Sequence, residues 1–350
     1  MRIVVGMSGG VDSSVVAAKL VEEGHEVIGL MLRLWAEPSC KDNRCCAPES
    51  VEQARMIAQG LGIPFYVLDY QARFKEEIVD PFVQTYLQGQ TPNPCVLCNQ
   101  KIRFGAMMEE ALNLGADRLA TGHYAQLLES PGRFELRKGS DPTKDQSYVL
   151  YRLSQKQLQR CLFPLGEINK TDTRLLAEKF GLEVASKPDS QDLCFVGDDG
   201  YRGFLDRAAG ESITGGDFVD LEGNVLGKHK GLPFYTVGQR RGLGLSFTQP
   251  MYVIELVSLK NQVILGPTDR RFTSKVIVED LQFQQDPTPH WGQEIAARIR
   301  YNSPESLAYL QPHPLGAQLD FIDPVADVTP GQAAVFYSGD LVIGGGMIKG

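Results

Sequence analysis

Hydrophobic and polar positions divide the chain into two parts with different periodicity. Up to about residue 194, short apolar runs alternate with segments that carry apolar residues at helical spacing. The runs lie at 2–6, 25–32 ("HEVIGLML"), 64–70 ("PFYVLDY") and 117–124 ("DRLATGHY"), and helical patterns follow at 11–23, 50–62 and after Gln100. This alternation predicts a parallel sheet with helices on both faces. Ligands of such sheets bind at the carboxyl ends of the strands, where residues 6–14 and "TGHY" would both lie.

After about residue 206 the helical spacing stops and glycine-bounded strand pairs follow. The segments "DFVDLEGNVLG" and "YVIELVSLKNQVILG" are typical of hairpins. Five further runs, at 275–283, 294–301, 317–323, 332–337 and 340–348, predict a small, mostly antiparallel barrel or sandwich. The sequence thus predicts an α/β domain at 1–207, a small β-rich domain at 208–275 and a C-terminal β-barrel at 276–350.

Charge is distributed unevenly over these parts. The 350 residues carry a net charge of −8, yet residues 226–275 hold eight basic and two acidic side chains. The basic ones are Lys228, Lys230, Arg240, Arg241, Lys260, Arg270, Arg271 and Lys275. A basic stretch in an acidic protein indicates a nucleic-acid partner, although an ordinary solvated surface is the alternative.

Composition also limits where the protein works. No apolar run approaches the roughly 18 residues of a membrane span, and the N-terminus lacks a basic and apolar leader, so we expect a cytoplasmic protein with no membrane partner. Seven cysteines, an odd number, argue against a disulfide framework. The vicinal group Cys40, Cys45 and Cys46 has no nearby histidine and irregular spacing, so we expect no metal there, and Cys161 is expected in the core.

The segment "GMSGGVDSS" at 6–14 connects the first predicted strand to the first predicted helix. Backbone N–H groups of such a loop and of the following helical turn converge on one point, which suits a phosphate. The segment is neither a Walker-type loop, because no Gly-Lys-Ser/Thr follows, nor a G-x-G-x-x-G site. It resembles the signature of the PP-loop ATP pyrophosphatases. In such a loop Gly9 and Gly10 let the backbone approach the phosphates, while Asp12 helps to hold Mg²⁺.

Two cysteine segments narrow the resemblance. "TPNPCVLCNQ" carries Cys95 and Cys98 just before a helix predicted from about Lys101, a position that favours the thiolate, and "KPDSQDLCFV" carries Cys194. Together with "GMSGGVDSS", "TGHYA", "KDQSYVL", "YTVGQRRGLG" and "AVFYSGDLVIGGG", they stand in the same order as in the family of bacterial tRNA 2-thiouridylases. That resemblance spans nearly the whole chain.

The resemblance implies a reaction and its participants. The family adenylates the C2 oxygen of the wobble uridine in tRNAs for lysine, glutamate and glutamine, and then replaces it with sulfur. Cys194 matches the cysteine that carries a persulfide, and Cys98 the nucleophile that closes a transient disulfide with it. Implied partners are the tRNA anticodon loop and a persulfide donor such as a cysteine desulfurase or a sulfur relay protein. Implied cofactors are ATP and Mg²⁺.

The resemblance also implies binding residues. ATP contacts are expected from Gly6, Met7, Ser8, Gly9, Gly10, Val11, Asp12, Ser13, Leu32 and Gly122, with Leu32 departing from a methionine found in some relatives. Contacts with tRNA are expected from Asn93, Pro94, His123, Lys144, Asp145, Gln146, Arg300, Tyr301 and Gln332, of which Asn93 and Pro94 frame the target base.

Three alternatives stay open at this point. Cys95 stands where some relatives have an aspartate assigned to proton transfer, and Cys95, Cys98 and Cys194 could instead hold an iron-sulfur cluster. Another PP-loop enzyme acting on a small molecule would leave Cys98, Cys194 and the basic half without a role. A non-catalytic tRNA-binding module would have no need of the intact "SGGVDS" loop.

Overall fold

The computed structural model describes residues 1–35, 48–187, 193–197 and 199–349. Cys40, Cys45 and Cys46 lie outside the described residues. The α-helices are α1 (Val11–Glu22), α2 (Pro48–Gly60), α3 (Gln71–Phe74), α4 (Asp80–Leu87), α5 (Pro94–Leu97), α6 (Met107–Asn113), α7 (Gln155–Leu158), α8 (Lys170–Lys179) and α9 (Gly200–Ala209). Two π-helical stretches connect neighbouring α-helices. They are Lys75–Val79 between α3 and α4, and Cys98–Ala106 between α5 and α6.

The strands are numbered in chain order. They are β1 (Arg2–Gly6), β2 (Glu26–Arg33), β3 (Phe65–Asp69), β4 (Arg118–Ala120), β5 (Ala125–Ser130), β6 (Arg133–Lys138), β7 (Cys161–Leu162), β8 (Gly216–Val219), β9 (Val225–His229), β10 (Tyr252–Val257), β11 (Gln262–Gly266), β12 (Phe272–Phe283), β13 (Glu294–Arg298), β14 (Ser306–His313), β15 (Gly316–Ala326), β16 (Ala333–Ser338) and β17 (Leu341–Ile348).

Contacts group the chain into two compact units. The first comprises residues 1–78, 95–198 and 340–342, and the second comprises 79–94, 199–339 and 343–350. The second unit includes α4, which packs on α9 through the T-shaped pair Phe82–Phe204 and the stacked pair Tyr86–Tyr201. The predicted three-part division at 207 and 275 stays a prediction.

A parallel sheet with strand order β3-β2-β1-β4-β7 forms the centre of the first unit. The predicted parallel sheet is therefore confirmed. Ile3, Val4 and Val5 of β1 are fully buried, as expected for a central strand whose apolar residues are continuous rather than alternating. The chain moves outward from β1 in both directions, through β2 on one side and β4 on the other. The carboxyl ends of β1 and β4 thus form the switch point where α/β sheets bind ligands.

The first unit also contains a hairpin that the sequence analysis did not predict. Strands β5 and β6 pair in antiparallel fashion from Ala125↔Lys138 to Ser130↔Arg133, and Arg137 of β6 pairs with Leu341. Polar side chains obscure its alternation, because the buried Glu135 accepts hydrogen bonds from Arg133 and Arg137 on its own strand. These two guanidinium groups lower the pKa of Glu135 to about 2.

The central part of the second unit is a four-stranded sheet with order β10-β11-β8-β9. Both predicted hairpins are confirmed as antiparallel pairs, and β8 and β11 join them in parallel. Its core contains Phe218, Val253, Val263 and Leu265, which are all fully buried.

Six strands at the C-terminal end close into a barrel, in the order β12-β15-β14-β13-β16-β17 and back to β12. The predicted barrel is confirmed, with β14 as a strand that the sequence analysis missed. Closure brings β17 against β12 so tightly that a Cβ on Gly344 or Gly346 would meet a β12 carbonyl oxygen at 2.5 Å. Glycine is required there for this reason.

Candidate nucleotide and sulfur-transfer site

The loop after β1 is held by its own serines. The Ser8 N–H donates to Ser13 Oγ at 3.2 Å, and Ser14 Oγ donates to the Gly10 carbonyl at 2.7 Å. Gly9 has φ +70°, and a Cβ there would meet the Ser50 carbonyl oxygen of α2 at 2.5 Å. Both the positive φ and the close approach to Ser50 therefore exclude a side chain at position 9. Glycine allows the backbone to run against α2 and to present its amides at the start of α1.

The loop after β4 packs directly on this loop. A Cβ on Gly122 would approach the Asp12 Cβ at 2.9 Å and the Ser13 nitrogen at 3.0 Å. Gly122 thus lies beside the first turn of α1, where the sequence analysis expected it to contribute to the ATP site. Leu32 is buried near the end of the adjacent β2, and Gly6 ends β1 with a hypothetical Cβ 2.9 Å from Met107 Sδ.

Asp12 is the centre of a polar cluster that the sequence analysis did not find. Lys170 Nζ donates to Asp12 Oδ1 at 2.7 Å, and the Tyr124 hydroxyl lies 2.8 Å from the same oxygen. The Tyr124 hydroxyl is also 3.0 Å from Thr173 Oγ1 of α8. Lys170 is the first residue of α8, and its ammonium lies over the Tyr124 ring. No local signal in the sequence identifies Lys170, since 158 positions separate it from Asp12.

A second lysine reaches the same loop from another segment. Lys187 Nζ donates to the Gly9 carbonyl and to Gln53 Oε1, both at 2.9 Å. In the sequence, Lys187 is distinguished only as the first residue of the segment "KPDSQDLCFV" that leads to Cys194. Two ammonium groups therefore lie beside the loop, and they supply positive charge where phosphates would bind.

The segment with Cys98 differs from the expectation in one respect. The helix predicted from about Lys101 begins at Pro94, because proline is tolerated in the first turn. The predicted helix start at about Lys101 was therefore wrong. Cys95, rather than Cys98, lies in the first turn of the helix that begins at Pro94. Cys98 begins the π-helical stretch Cys98–Ala106 and is buried with 8% exposure, whereas Cys95 is exposed. Stretches of π-helix inside α-helices are frequent at functional sites.

Cys194 is partly buried and lies beside an aromatic cluster. The adjacent Phe195 is 2% exposed and makes edge contacts with Phe74 at 5.8 Å and with Trp35 at 6.5 Å between ring centroids. These contacts anchor the chain immediately after Cys194. The rest of the predicted segment, residues 188–192, lies outside the described residues.

Two of the predicted tRNA contacts in the first unit, His123 and Asp145, are buried. His123 is 4% exposed, and its Nδ1 lies 2.8 Å from Thr121 Oγ1. Its Nε2 lies 3.5 Å from the Arg103 guanidinium, which can only donate. Burial and the charge of Arg103 lower the pKa of His123 to about 3, so the imidazole is neutral.

The segment 144–146 has a structural role in the described conformation. Asp145 is buried and accepts hydrogen bonds from the Gly139 and Ser147 N–H groups, both at 3.0 Å. Gln146 Oε1 accepts from the Tyr124 N–H at 3.0 Å. Lys144 is half-buried. Their role in tRNA binding stays a prediction.

Other predicted tRNA contacts lie in the second unit. Tyr301 is exposed, whereas Arg300 donates through its guanidinium to the Asp327 carbonyl. The Gln332 side chain donates to the Thr91 and Pro92 carbonyls, directly before Asn93 and Pro94. In the basic stretch, Arg240 and Arg241 are exposed, as are most of its other basic side chains.

Among the described residues, no three His, Cys, Asp or Glu side chains are grouped so that they could hold a metal ion. Cys95, Cys98 and Cys194 are all described, so the structure does not assemble the three thiols of the cluster alternative. Mg²⁺ that arrives with ATP needs only one or two protein carboxylates besides phosphate oxygens, and Asp12 fits that requirement. Within the described residues, no helix combines the length and apolarity needed to cross a membrane.

Family models match the chain in three successive blocks. They are the tRNA methyl transferase HUP domain at 1–198, the tRNA methyl transferase PRC-barrel domain at 202–267 and the aminomethyltransferase beta-barrel domain at 273–348. Among solved structures, a 4-thiouridine synthetase–RNA complex with bound ATP covers 60% of this chain and 51% of its own at 15% identity, with a TM-score of 0.34.

Curated relatives match over nearly the full length. A tRNA-specific 2-thiouridylase from Magnetococcus marinus is 48% identical over 99% of this chain and 98% of its own. One from Heliobacterium modesticaldum is 46% identical over 99% and 92%, and one from Clostridium perfringens is 42% identical over 99% and 98%. The chain therefore belongs to the family of tRNA-specific 2-thiouridylases.

Proposed function

We propose that this protein uses ATP to replace the C2 oxygen of the wobble uridine in tRNA with sulfur, which makes it a tRNA-uridine 2-sulfurtransferase. One observation carries the proposal. The "SGGVDS" loop lies at the switch point of a parallel sheet, with Gly122, Lys170 and Lys187 packed around it, in the same compact unit as Cys98 and Cys194.

Activation is the step that the loop supports. A uridine carbonyl oxygen is a poor leaving group, and attack of that oxygen on the α-phosphorus of ATP, with loss of pyrophosphate, converts it into AMP. Lys170 and Lys187, which contact Asp12 and the Gly9 carbonyl, would stabilise negative charge that develops on the phosphates. The backbone amides after Gly9 bind the same oxygens. Mg²⁺ bound with ATP would screen the phosphate charge, and Asp12 is the residue that would hold it.

Sulfur transfer follows activation. The terminal sulfur of a Cys194 persulfide attacks C2, AMP leaves, and the Cys98 thiolate then attacks the Cys194 sulfur. This last step releases 2-thiouridine and leaves a Cys98–Cys194 disulfide, which a thiol reductant must reduce. A cysteine desulfurase or a sulfur relay protein would reload Cys194.

Substrate recognition is proposed from charge and accessibility. A wobble uridine lies in a single-stranded loop, so it can enter a pocket without opening a duplex. The exposed Arg240 and Arg241 would contact phosphates and thereby position the anticodon loop. We infer that lysine, glutamate and glutamine tRNAs are the substrates and that the protein works in the cytoplasm.

The decisive experiment is nucleoside mass spectrometry of wobble-uridine tRNA after incubation with the protein, ATP, Mg²⁺ and a persulfide donor. We expect uridine to gain the mass difference between sulfur and oxygen, only when ATP is present. Release of AMP without tRNA, together with unmodified uridine, would instead favour a PP-loop enzyme that acts on a small molecule. Binding of tRNA without AMP release would favour a non-catalytic binding module.

The requirement for Cys95 distinguishes the persulfide mechanism from the iron-sulfur-cluster mechanism. A persulfide mechanism needs Cys98 and Cys194, whereas a three-cysteine cluster needs Cys95 as well. We expect the substitution Cys95→Ser to retain aerobic thiolation, because Cys95 is exposed while Cys98 is buried. Two results together would contradict the persulfide route. They are loss of thiolation in Cys95→Ser, and thiolation by the unmodified protein only after anaerobic reconstitution of an iron-sulfur cluster.

A further inference from the structure

Arg202, in the first turn of α9, lies beside the glycine-arginine loop at 236–244. Gly242 of that loop comes so close that a Cβ on it would lie 3.8 Å from Arg202 Nη1. In the sequence, Arg202 precedes the basic stretch, so the distribution of charge along the chain did not indicate this neighbour. Folding of the second unit thus places Arg202 beside the backbone that carries Arg240 and Arg241.

The backbone of the glycine-arginine loop is fixed by its own hydrogen bonds. The Gly238 N–H donates to the Val253 carbonyl of β10 at 2.8 Å, and the Val253 N–H donates to the Gln239 carbonyl at 2.9 Å. The Gln239 side chain accepts from the Thr236 N–H at 3.2 Å and donates to the Arg241 carbonyl at 3.0 Å. The two arginine side chains of the loop are exposed. Their backbone is therefore held in place while their guanidinium groups stay accessible.

The Arg202 side chain is supported by an aromatic stack. Its guanidinium carbon lies 5.8 Å from the centroid of the Tyr201 ring, and its Nε donates to the Tyr201 hydroxyl at 3.3 Å. The Tyr201 ring stacks in turn on the Tyr86 ring of α4, at 5.4 Å between ring centroids. Arg202 is nevertheless exposed. The stack therefore restricts the side chain without burying its charge.

None of the three arginines has a carboxylate partner among the described residues. Other arginines of the second unit do: Arg207, on the same helix, pairs with Asp199, and Arg271 pairs with Asp327. Arg202 also opposes the dipole of α9, because a positive side chain in the first turn of a helix is unfavourable. Positive charges that are gathered without a counter-charge attract an anionic ligand.

We propose that Arg202, Arg240 and Arg241 form one surface that binds the phosphate backbone of RNA. A guanidinium is always charged and donates two parallel hydrogen bonds to phosphate oxygens. An RNA strand presents successive phosphates, so neighbouring arginines can each bind one. The identity of this RNA as tRNA rests on the proposed function, to which the surface adds Arg202 as a further tRNA contact.

The salt dependence of binding to an unmodified lysine tRNA transcript tests this surface. Each phosphate that a protein neutralises releases counterions, which contributes about 0.7 to 0.9 to the slope of log Kd against log salt concentration. We expect Arg202→Gln to lower the slope by about this amount and to weaken binding roughly tenfold. The matched control is Arg207→Gln, which changes the net charge equally but removes an arginine that is already paired. It should leave the slope unchanged.

A second variant separates a phosphate contact from a structural role. Arg202→Lys keeps the charge, so the slope should be retained, while loss of the two-pronged geometry should weaken binding less than the glutamine does. Because Arg202 is exposed, the free energy of unfolding of both variants should stay close to that of the unmodified protein. Chemical denaturation measures this quantity.

Two outcomes would overturn the proposal while the proposed function stands. The first is an unchanged slope and affinity for tRNA in Arg202→Gln. The second is an unchanged slope for tRNA together with weaker binding of polyglutamate, which would assign the surface to an acidic protein. Conversely, the expected change of slope in a protein that binds tRNA but transfers no sulfur would support the surface and contradict the proposed function. Absence of tRNA binding by the unmodified protein would refute both.

Discussion

The phosphate loop and the two cysteine segments lie in the same compact unit but are constructed differently. Around the loop, residues from four separate segments converge within hydrogen-bonding or van der Waals distance of Gly9 and Asp12. Cys98 is buried in a helix, and Cys194 is partly exposed in a segment that an aromatic contact anchors. In the proposed mechanism, ATP activation uses groups preorganised at one sheet edge, whereas sulfur transfer uses two thiols held in unlike surroundings.

The largest expected effect is on the sulfur side. Cys194→Ser removes the proposed persulfide carrier, so we expect thiolation to fall at least about 1,000-fold, as for loss of a covalent nucleophile. Release of AMP and the tRNA Kd should stay nearly unchanged, because the phosphate loop is untouched. Nucleoside mass spectrometry and a filter-binding assay measure these quantities in parallel.

Cys161→Ser is the matched control for that variant. Cys161 is fully buried in β7, its thiol donates to the Gln157 carbonyl, and burial raises its pKa. It should lose stability but keep thiolation per folded molecule. If Cys194→Ser abolished tRNA binding as well, Cys194 would be structural, and the contrast between the two regions would disappear.

A second prediction concerns the rigidity of the loop. Gly9→Ala and Gly24→Ala both place alanine at positive φ, +70° and +79°, at the two ends of α1. Only Gly9 also meets backbone, since no heavy atom lies within 4 Å of a Cβ on Gly24. We expect about a 100-fold loss of ATP affinity in Gly9→Ala, and about 1 kcal/mol of lost stability without an ATP effect in Gly24→Ala.

Calorimetric titration with ATP and chemical denaturation of both variants would measure this difference. Equal ATP affinity in the two variants would mean that the loop tolerates displacement, and that preorganisation is not what distinguishes it from the cysteine segments.

Sequence reasoning succeeded where local pattern and sheet topology coincide. Continuous apolar residues in β1, the glycines of "SGGVDS" and the carboxyl end of β4 were sufficient to predict that residues 6–14 and "TGHY" lie at the same sheet edge. The proximity of Gly122 to Asp12 agrees with that prediction. Alternation with glycine-bounded turns was likewise sufficient for the hairpins β8–β9 and β10–β11. In these places one or two short-range rules determine the outcome.

Long-range contacts were not predictable in this way. Lys170 and Lys187 reach the loop from distant segments through single side chains, and nothing in their neighbouring residues indicates the partner. The cysteine helix started early because Pro94 serves as a helix start rather than as a break. Strands β5, β6 and β14 were missed, since polar outward positions and prolines weaken their alternation.

A smaller effect is expected from the lysine that contacts the loop carbonyl. Lys187→Met keeps much of the side-chain volume but removes the donor to Gly9 O and Gln53 Oε1. Loss of a charged hydrogen bond near the phosphates predicts about a 10-fold lower rate of tRNA-dependent AMP release. The control is Lys179→Met, whose ammonium forms an exposed pair with Glu22 and should not change that rate. An equal loss in both variants would attribute the effect to general charge rather than to the loop contact.

The last predicted effect is on stability rather than on activity, and it is a change in pH dependence at His123. Its pKa is lowered from 6.5 to about 3 by burial and by Arg103, so the unfolded state binds a proton that the folded state does not. The stabilisation by neutral His123 is therefore full above pH 6.5 and decreases as the pH falls toward 3. Below pH 6 we expect it to cost about 1 kcal/mol per pH unit.

His123→Gln should remove this component, so its free energy of unfolding should fall less steeply than that of the unmodified protein between pH 6 and 4. Leu158→Ala, a fully buried change in the same unit, should lower stability by a constant amount at every pH. Parallel curves for His123→Gln and the unmodified protein would show that His123 titrates alike in both states. In that case the imidazole would be accessible to protons and available for tRNA. The "TGHY" loop would then be as accessible to solvent as the segment of Cys194, and the contrast between the two regions would be smaller.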